Sequence, residues 1–214
     1  MISRPLVGLV AFGLAGVAVP LQGQTMCELF EHHMSNMAVG AYASWQFQDG
    51  TMKQAVVGAK EVDGQKHIWF EMAMQENKKG ASMVAKFLVP SFDRLYEVKE
   101  LVVQPAGEPA MRVPKQMISM MQQNMKDPMA EMRKKCGAGE EPVVDLGTAT
   151  VTVPAGTFTA RHFRAASGEE MWIDMSLAFP LVKATTDKGD MILVEHGTDA
   201  STAITGPIQD MPGF

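Results

Sequence analysis

The sequence predicts an α+β protein: a curved antiparallel β-sheet of about nine or ten strands, with a helical insertion covering the concave face. Three observations carry that expectation. Residues 39–103 alternate apolar and polar side chains between turn signals. Residues 115–136 change to steps of three and four. From residue 143 the alternation of two resumes, again between turns.

The first set opens with 39–48, where Val39, Ala41, Ala43, Trp45 and Phe47 fall on one face and Tyr42, Ser44, Gln46 and Gln48 on the other. Asp49-Gly50 leads to a second strand at 53–62, and Asp63-Gly64 is a tight-turn signal into a third at 66–75. There Ile68, Phe70, Met72 and Met74 share a face. Segment 77–80 turns the chain into 82–89, with Met83, Ala85, Phe87 and Val89 on one side, and 94–103 reads as a further strand. Three prolines and a glycine in 104–114 forbid both ladder and helix there.

The insertion 115–136 is rich in thioethers. Met117, Met120, Met121, Met125, Met129 and Met132 recur at helical spacing, with Asp127-Pro128 as a fresh helix start and Gly137 as a stop. Two short helices sharing one Met-lined face result. Strands then follow at 143–153, 157–165, 169–175, 179–186 and 191–197, and the segment 200–205 reads as a last one. Residues 207–214 form a loosely held tail. Ten twisted strands curl, and the helices are the natural cover for the hollow side.

The first 24 residues hold one charge, Arg4, then an apolar Gly- and Ala-rich run that turns polar at Gln22-Gly23-Gln24. This is the pattern of a secretory signal peptide over 1–24, cleaved after Gly23 or Gln24, or else after Ala18. The run is too short and glycine-rich for a membrane span. Cys27 lacks the small residue before it that lipid attachment needs. The expected mature domain is therefore 25–206, periplasmic or secreted and not membrane-spanning once the signal is removed. Residues 26–36 have helical spacing. In an oxidising space the two cysteines, Cys27 and Cys136, are expected to pair, closing a loop that stabilises by ~4–5 kcal/mol in the entropic account.

Hydrophobic content of 46% allows a sizeable core, and a net charge of −5 excludes nucleic acid as a partner. The run Arg133-Lys134-Lys135 suits a helix C-terminus. No zinc spacing, nucleophile elbow, phosphate loop or dinucleotide fingerprint occurs, so no enzyme and no cofactor is expected. Glu195, His196 and Asp199 lie close in sequence at a strand end, where solvated polar residues belong. His32, His33 and Met37 are the remaining metal candidates, for copper, since thioether sulfur suits Cu(I). The methionines of 117–132 instead mark the apolar stripe of an amphipathic helix, so no metal is favoured.

Residues 153–163, 171–186 and 194–206 carry an aGxF turn, a Trp-containing strand, a proline-led Pro180-Leu181-Val182-Lys183 strand and a final Gly-containing strand. In these motifs the chain resembles uncharacterised exported bacterial proteins similar in outline to the half-barrel envelope proteins typified by the lipoprotein carriers LolA and LolB. The resemblance implies a half-barrel sheet with helices on its concave side. It transfers no binding residue.

Together these features lead to an expected function: a periplasmic, non-enzymatic protein that binds or carries an apolar, lipid-like ligand between the sheet and a Met-rich helical lid. The lid candidates are the six methionines from 117 to 132, and the sheet-face candidates are Trp45, Phe47, Phe70, Met72 and Phe87. Methionine is pliable and polarizable, which suits apolar ligands of varied shape. The alternatives are an envelope interaction module with a filled core and an envelope protein as partner, or a periplasmic copper-binding protein.

Overall fold

A computed structural model describes residues 37–77, 82–124 and 143–211, together with 130, 134 and 138. The described strands are β1 (Tyr42–Phe47), β2 (Gly50–Val62), β3 (Gln65–Glu76), β4 (Ser82–Val89), β5 (Glu100–Pro105) and β6 (Met111–Arg112). They continue with β7 (Val143–Val153), β8 (Gly156–Ala165), β9 (Glu170–Ile173), β10 (Leu181–Thr186), β11 (Gly189–Gly197) and β12 (Gln209–Asp210). One helix, α1 (Lys115–Asn124), and a 3-10 turn at Phe92–Arg94 complete the described elements.

All twelve strands share one sheet, in the order β12-β6-β5-β4-β3-β2-β1-β11-β10-β9-β8-β7. It consists of two meanders, β1 to β6 and β7 to β11, joined where β1 pairs with β11. Every pairing is antiparallel except β6 with β12. The Asp63-Gly64 turn between β2 and β3 has φ of 52° and 74° at its two residues, the left-handed pair that a two-residue hairpin needs. Register shifts at Ser44/Trp45, Val56/Gly58, Leu181/Lys183 and Asp145/Thr148 add twist.

One face carries the main core. Paired residues of neighbouring strands share a face, so Phe70 aligns with Val56 of β2 and Phe87 of β4, and Phe87 with Leu101 of β5. Trp45, Val56, Ile68, Phe70, Val89 and Leu101 are all buried on this inner face. Trp45 also donates its indole N–H to the Leu181 carbonyl at 2.8 Å, reaching past β11 to β10. That bond satisfies the one polar atom of a buried ring and holds the two meanders in a curl. Beyond the four-residue β9, the β7–β8 hairpin folds back: the Ala155 amide donates to Leu193 O at 3.3 Å.

The outer face is crossed by the chain after β11. Ala200 N donates to Gly40 O at 2.8 Å, Ala203 N to Glu71 Oε1 at 2.8 Å and Thr205 N to Gln104 Oε1 at 2.9 Å. Val84, Val102, Ala110 and Ile204 pack as a separate cluster beneath this strap. Gly40 makes the crossing possible: its φ is +95°, and a Cβ there would lie 2.2 Å from Thr198 O.

Three expectations are corrected. The sheet has twelve strands rather than nine or ten, because 104–114 and the segment after 207 each supply a two-residue strand, β6 and β12. The strand expected from residue 94 starts at Glu100. The intervening stretch is a turn, held by an Arg94–Glu97 ion pair and a bond from Glu97 N to Arg94 O at 3.0 Å. Segment 200–205 is not a strand, since it runs across the ladder and bonds side chains instead. α1 lies over the β5 end of the inner face and loops pack on its middle, while most of the remainder of the expected insertion, and with it the second short helix, lies outside the described residues.

Candidate functional site

Two loops carry aromatic rings onto the inner face. After β4, Pro90-Ser91 directs the chain into the 3-10 turn, which presents Phe92 and then Leu95 and Val98 to the core. After β9, Asp174 accepts the Ser176 amide at 2.9 Å and its hydroxyl at 2.7 Å, and Asp174 N donates to Pro180 O at 2.8 Å. This side-chain-built turn delivers Phe179, which is 3% exposed. The rings form a continuous file. Centroids are 6.1 Å apart for Trp45–Phe179, 5.8 Å for Phe179–Phe92, 5.0 Å for Phe92–Phe70 and 6.2 Å for Phe70–Phe87. The first three contacts are edge-to-face and the last is stacked; such pairs add about 0.5–1.5 kcal/mol each beyond area burial.

Apolar hollows flank that file on either side. The first, of about 240 Å3, lies beneath α1 between Phe70, Met72 and Phe87 of the sheet and Ile118 and Met121 of the helix, with Leu95, Val98 and Leu101 closing it. The second, of about 200 Å3, is walled by Trp45, Phe92 and Phe179 and by four methionines, Met37, Met52, Met171 and Met191. Each is smaller than the roughly 300–1,000 Å3 of a drug-sized ligand cleft. Among the described residues neither wall contains a charged side chain. The polar member of the first, Gln122, uses its amide NH2 on Tyr96 O at 3.1 Å and Val98 O at 3.0 Å, which ties α1 to the turn below it. Such surfaces can bind apolar groups. Among the described residues their linings carry no titratable side chain.

Among the lid candidates, Met117 packs against the core and Met121 lines the first hollow while 42% exposed, whereas Met120 is 58% exposed and lines neither. Met125, Met129 and Met132 lie outside the described residues. So do Cys27, Cys136, His32 and His33. Of the sheet-face candidates, Phe70, Met72 and Phe87 line the first hollow and Trp45 the second. Phe47 is half-buried and lines neither. Met37 is buried in the second wall. Phe92, Phe179, Met171 and Met191 are site residues that sequence reasoning missed. An isolated phenylalanine inside a turn, as in Ser91-Phe92 or Phe179-Pro180, was the available signal.

The polar clusters have structural partners. Glu195 accepts the Tyr42 hydroxyl at 3.0 Å, a bond that raises the phenol's pKa, and His196 meets the Phe158 ring edge-on at 5.7 Å. His162 stacks on Trp172 with ring centroids 4.3 Å apart and bonds Glu170 at 2.9 Å.

Fold and hollows together define a curved, mostly antiparallel sheet protein with an apolar inner face, interrupted by an aromatic file. No family model matches the chain, and no curated protein matches it. Among solved structures, the hypothetical protein CT021 from Chlamydia trachomatis is similar over 89% of this chain and 98% of its own, at 12% identity and a TM-score of 0.40. A candidate lipoprotein from Parabacteroides distasonis is similar over 75% of this chain and 96% of its own, at 11% identity and a TM-score of 0.33. Likeness at this level defines neither fold nor activity. No helix among the described residues is long and apolar enough to cross a membrane.

Proposed function

We propose that the protein is exported to the bacterial envelope and there binds an apolar, lipid-like ligand on the inner face of its sheet, without catalysing a reaction. The observation that carries this reading is the hollow beneath α1, an uncharged cavity with Met121 half-exposed at the helix side. A packed core of comparable residues closes such space, because each void forfeits dispersion contacts. Methionines in both walls let the space adapt to its occupant. The signal-like residues 1–24 and the half-barrel resemblance support an envelope location.

The test is mass spectrometry of organic extracts from gently purified protein, alongside titration with an apolar fluorescent dye. Lipid that co-purifies, and a saturable dye site weakened by Met121→Lys, support the reading. An empty extract with no saturable dye binding overturns it. The aromatic file favours a second reading, an envelope interaction module, since Phe92 and Phe179 already fill the middle of the inner face. Capture of one defined envelope protein, with no dye site, supports that alternative.

A further inference from the structure

The sheet ends at β7, and that edge is long. β7 spans eleven residues and among the described residues forms a ladder only with β8, with contacts to β10 and β11, while the opposite end of the sheet is the two-residue β12. Natural edges are usually blunted by lysine, proline or a bulge. Here the bulge sits upstream, at Asp145/Thr148, where Gly147 has φ +91°. The run after it, Thr148-Ala149-Thr150-Val151-Thr152-Val153, has no charge, proline or glycine.

Register decides what this run can accept. Val153 pairs with Gly156 across a two-residue turn, so Ala149, Val151 and Val153 direct their backbone groups to β8 by the alternation of an antiparallel ladder. Thr148, Thr150 and Thr152 therefore direct theirs outward, and all three are exposed. We propose that this edge is a homodimer interface, in which Thr148–Thr152 pairs antiparallel with the same residues of a second copy about a two-fold axis at Thr150.

The sequence suits that axis. Thr150 meets itself and Thr148 meets Thr152, while Ala149 meets Val151 on the opposite face. Every pair is thus uncharged and matched in facing, and Thr–Thr pairs are favourable across strands. A charged residue on the axis would face its own like charge. The one acidic residue of the strand, Asp145, lies beyond the bulge and pairs with Arg161 of its own chain. Val144 and Leu146 are 61% and 41% exposed on the same strand. In this register they fall beside the 153–156 turn of the second copy, which would cover them. A two-fold arrangement also closes the assembly at two, because each copy uses its β7 edge.

Sedimentation velocity across a concentration series tests the interface on the full-length mature protein. A dimer that dissociates at least tenfold more readily in Thr150→Lys, and likewise in Thr150→Pro if that variant keeps the wild-type circular dichroism, is the expected result. Thr150→Cys should crosslink to itself, since opposed residues in a bonded pair lie ~5.5 Å apart at Cα, within disulfide reach. Thr159→Cys, one strand inward, should not. A monomer at every concentration, a dimer indifferent to Thr150→Lys, or equal crosslinking at 150 and 159 overturns the proposal.

Discussion

Glu71 accepts the backbone N–H of Ala203 at 2.8 Å, with the Thr202 hydroxyl on its other oxygen at 2.5 Å. A side-chain carboxylate on β3, 4% exposed, thus does for the crossing strap what a neighbouring strand would do by backbone pairing. Glu71→Ala leaves a buried amide without an acceptor and should destabilise the protein by about 3 kcal/mol. Glu71→Gln, which keeps one acceptor oxygen, should cost less. Denaturant midpoints measure both, and equal midpoints for Glu71→Ala and wild type would remove the strap from the account of stability.

Phe92 lines the second hollow and touches Phe179 as well as Phe70, which lines the first. Phe92→Ala should cost about 3 kcal/mol, near the low end for a buried ring because Phe92 is only half-buried. It should also join the hollows, so that an apolar dye too large for either one binds the variant. Thermal unfolding and dye titration read the two effects separately. Unchanged dye selectivity would mean that Phe92 divides nothing.

Gln122 fastens α1 to the turn through Tyr96 O and Val98 O. Replacement by leucine keeps the volume and frees two carbonyls, a loss of about 1–2 kcal/mol. Amide exchange in 115–122 should quicken more than in β3, and dye should enter the first hollow faster. Exchange that quickens equally throughout would point to global rather than local loosening.

Glu170 is held below the ordinary glutamate range by hydrogen bonds from Arg164 and then His162. Because its folded pKa is depressed, the stability it contributes is present above the unfolded pKa and is lost as pH falls through the folded one. Glu170→Gln should therefore be less stable than wild type near neutrality, and the two should converge in acid. Parallel pH–stability curves down to the lowest accessible pH would exclude this contribution.

Much of the sheet was legible in the residues. The strand 82–89 agrees with the structure residue for residue, and the Asp63-Gly64 hairpin forms as its chemistry requires. Alternation also placed Trp45, Phe70 and Phe87 correctly on one face. Segment 200–205 shows where that signal misleads. Its spacing suits an extended chain, and the chain is extended there, but Glu71 and Gln104 hold it at an angle to the ladder. Periodicity reports local conformation and carries no direction relative to other strands.

The site was half legible, for a related reason. A stripe of methionines in 115–136 attracts notice because it is continuous in sequence. The second hollow draws its thioethers from Met37, Met52, Met171 and Met191, four separate places along the chain. Phe92 and Phe179 give no periodic signal at all, being single rings in turns.

By itself the chain's pattern of residues determined where most of the strands would form, which of their sides would avoid water, and that a helix would interrupt them; these follow from spacing and turn chemistry within a few residues. Only the folded arrangement decided that β1 meets β11, that two loop-borne rings divide the inner face, and that β7 is left as an edge. Those outcomes depend on contacts between segments far apart in the chain, such as Trp45 with Leu181 and Phe92 with Phe179, and such contacts form through closure and packing that no local pattern encodes.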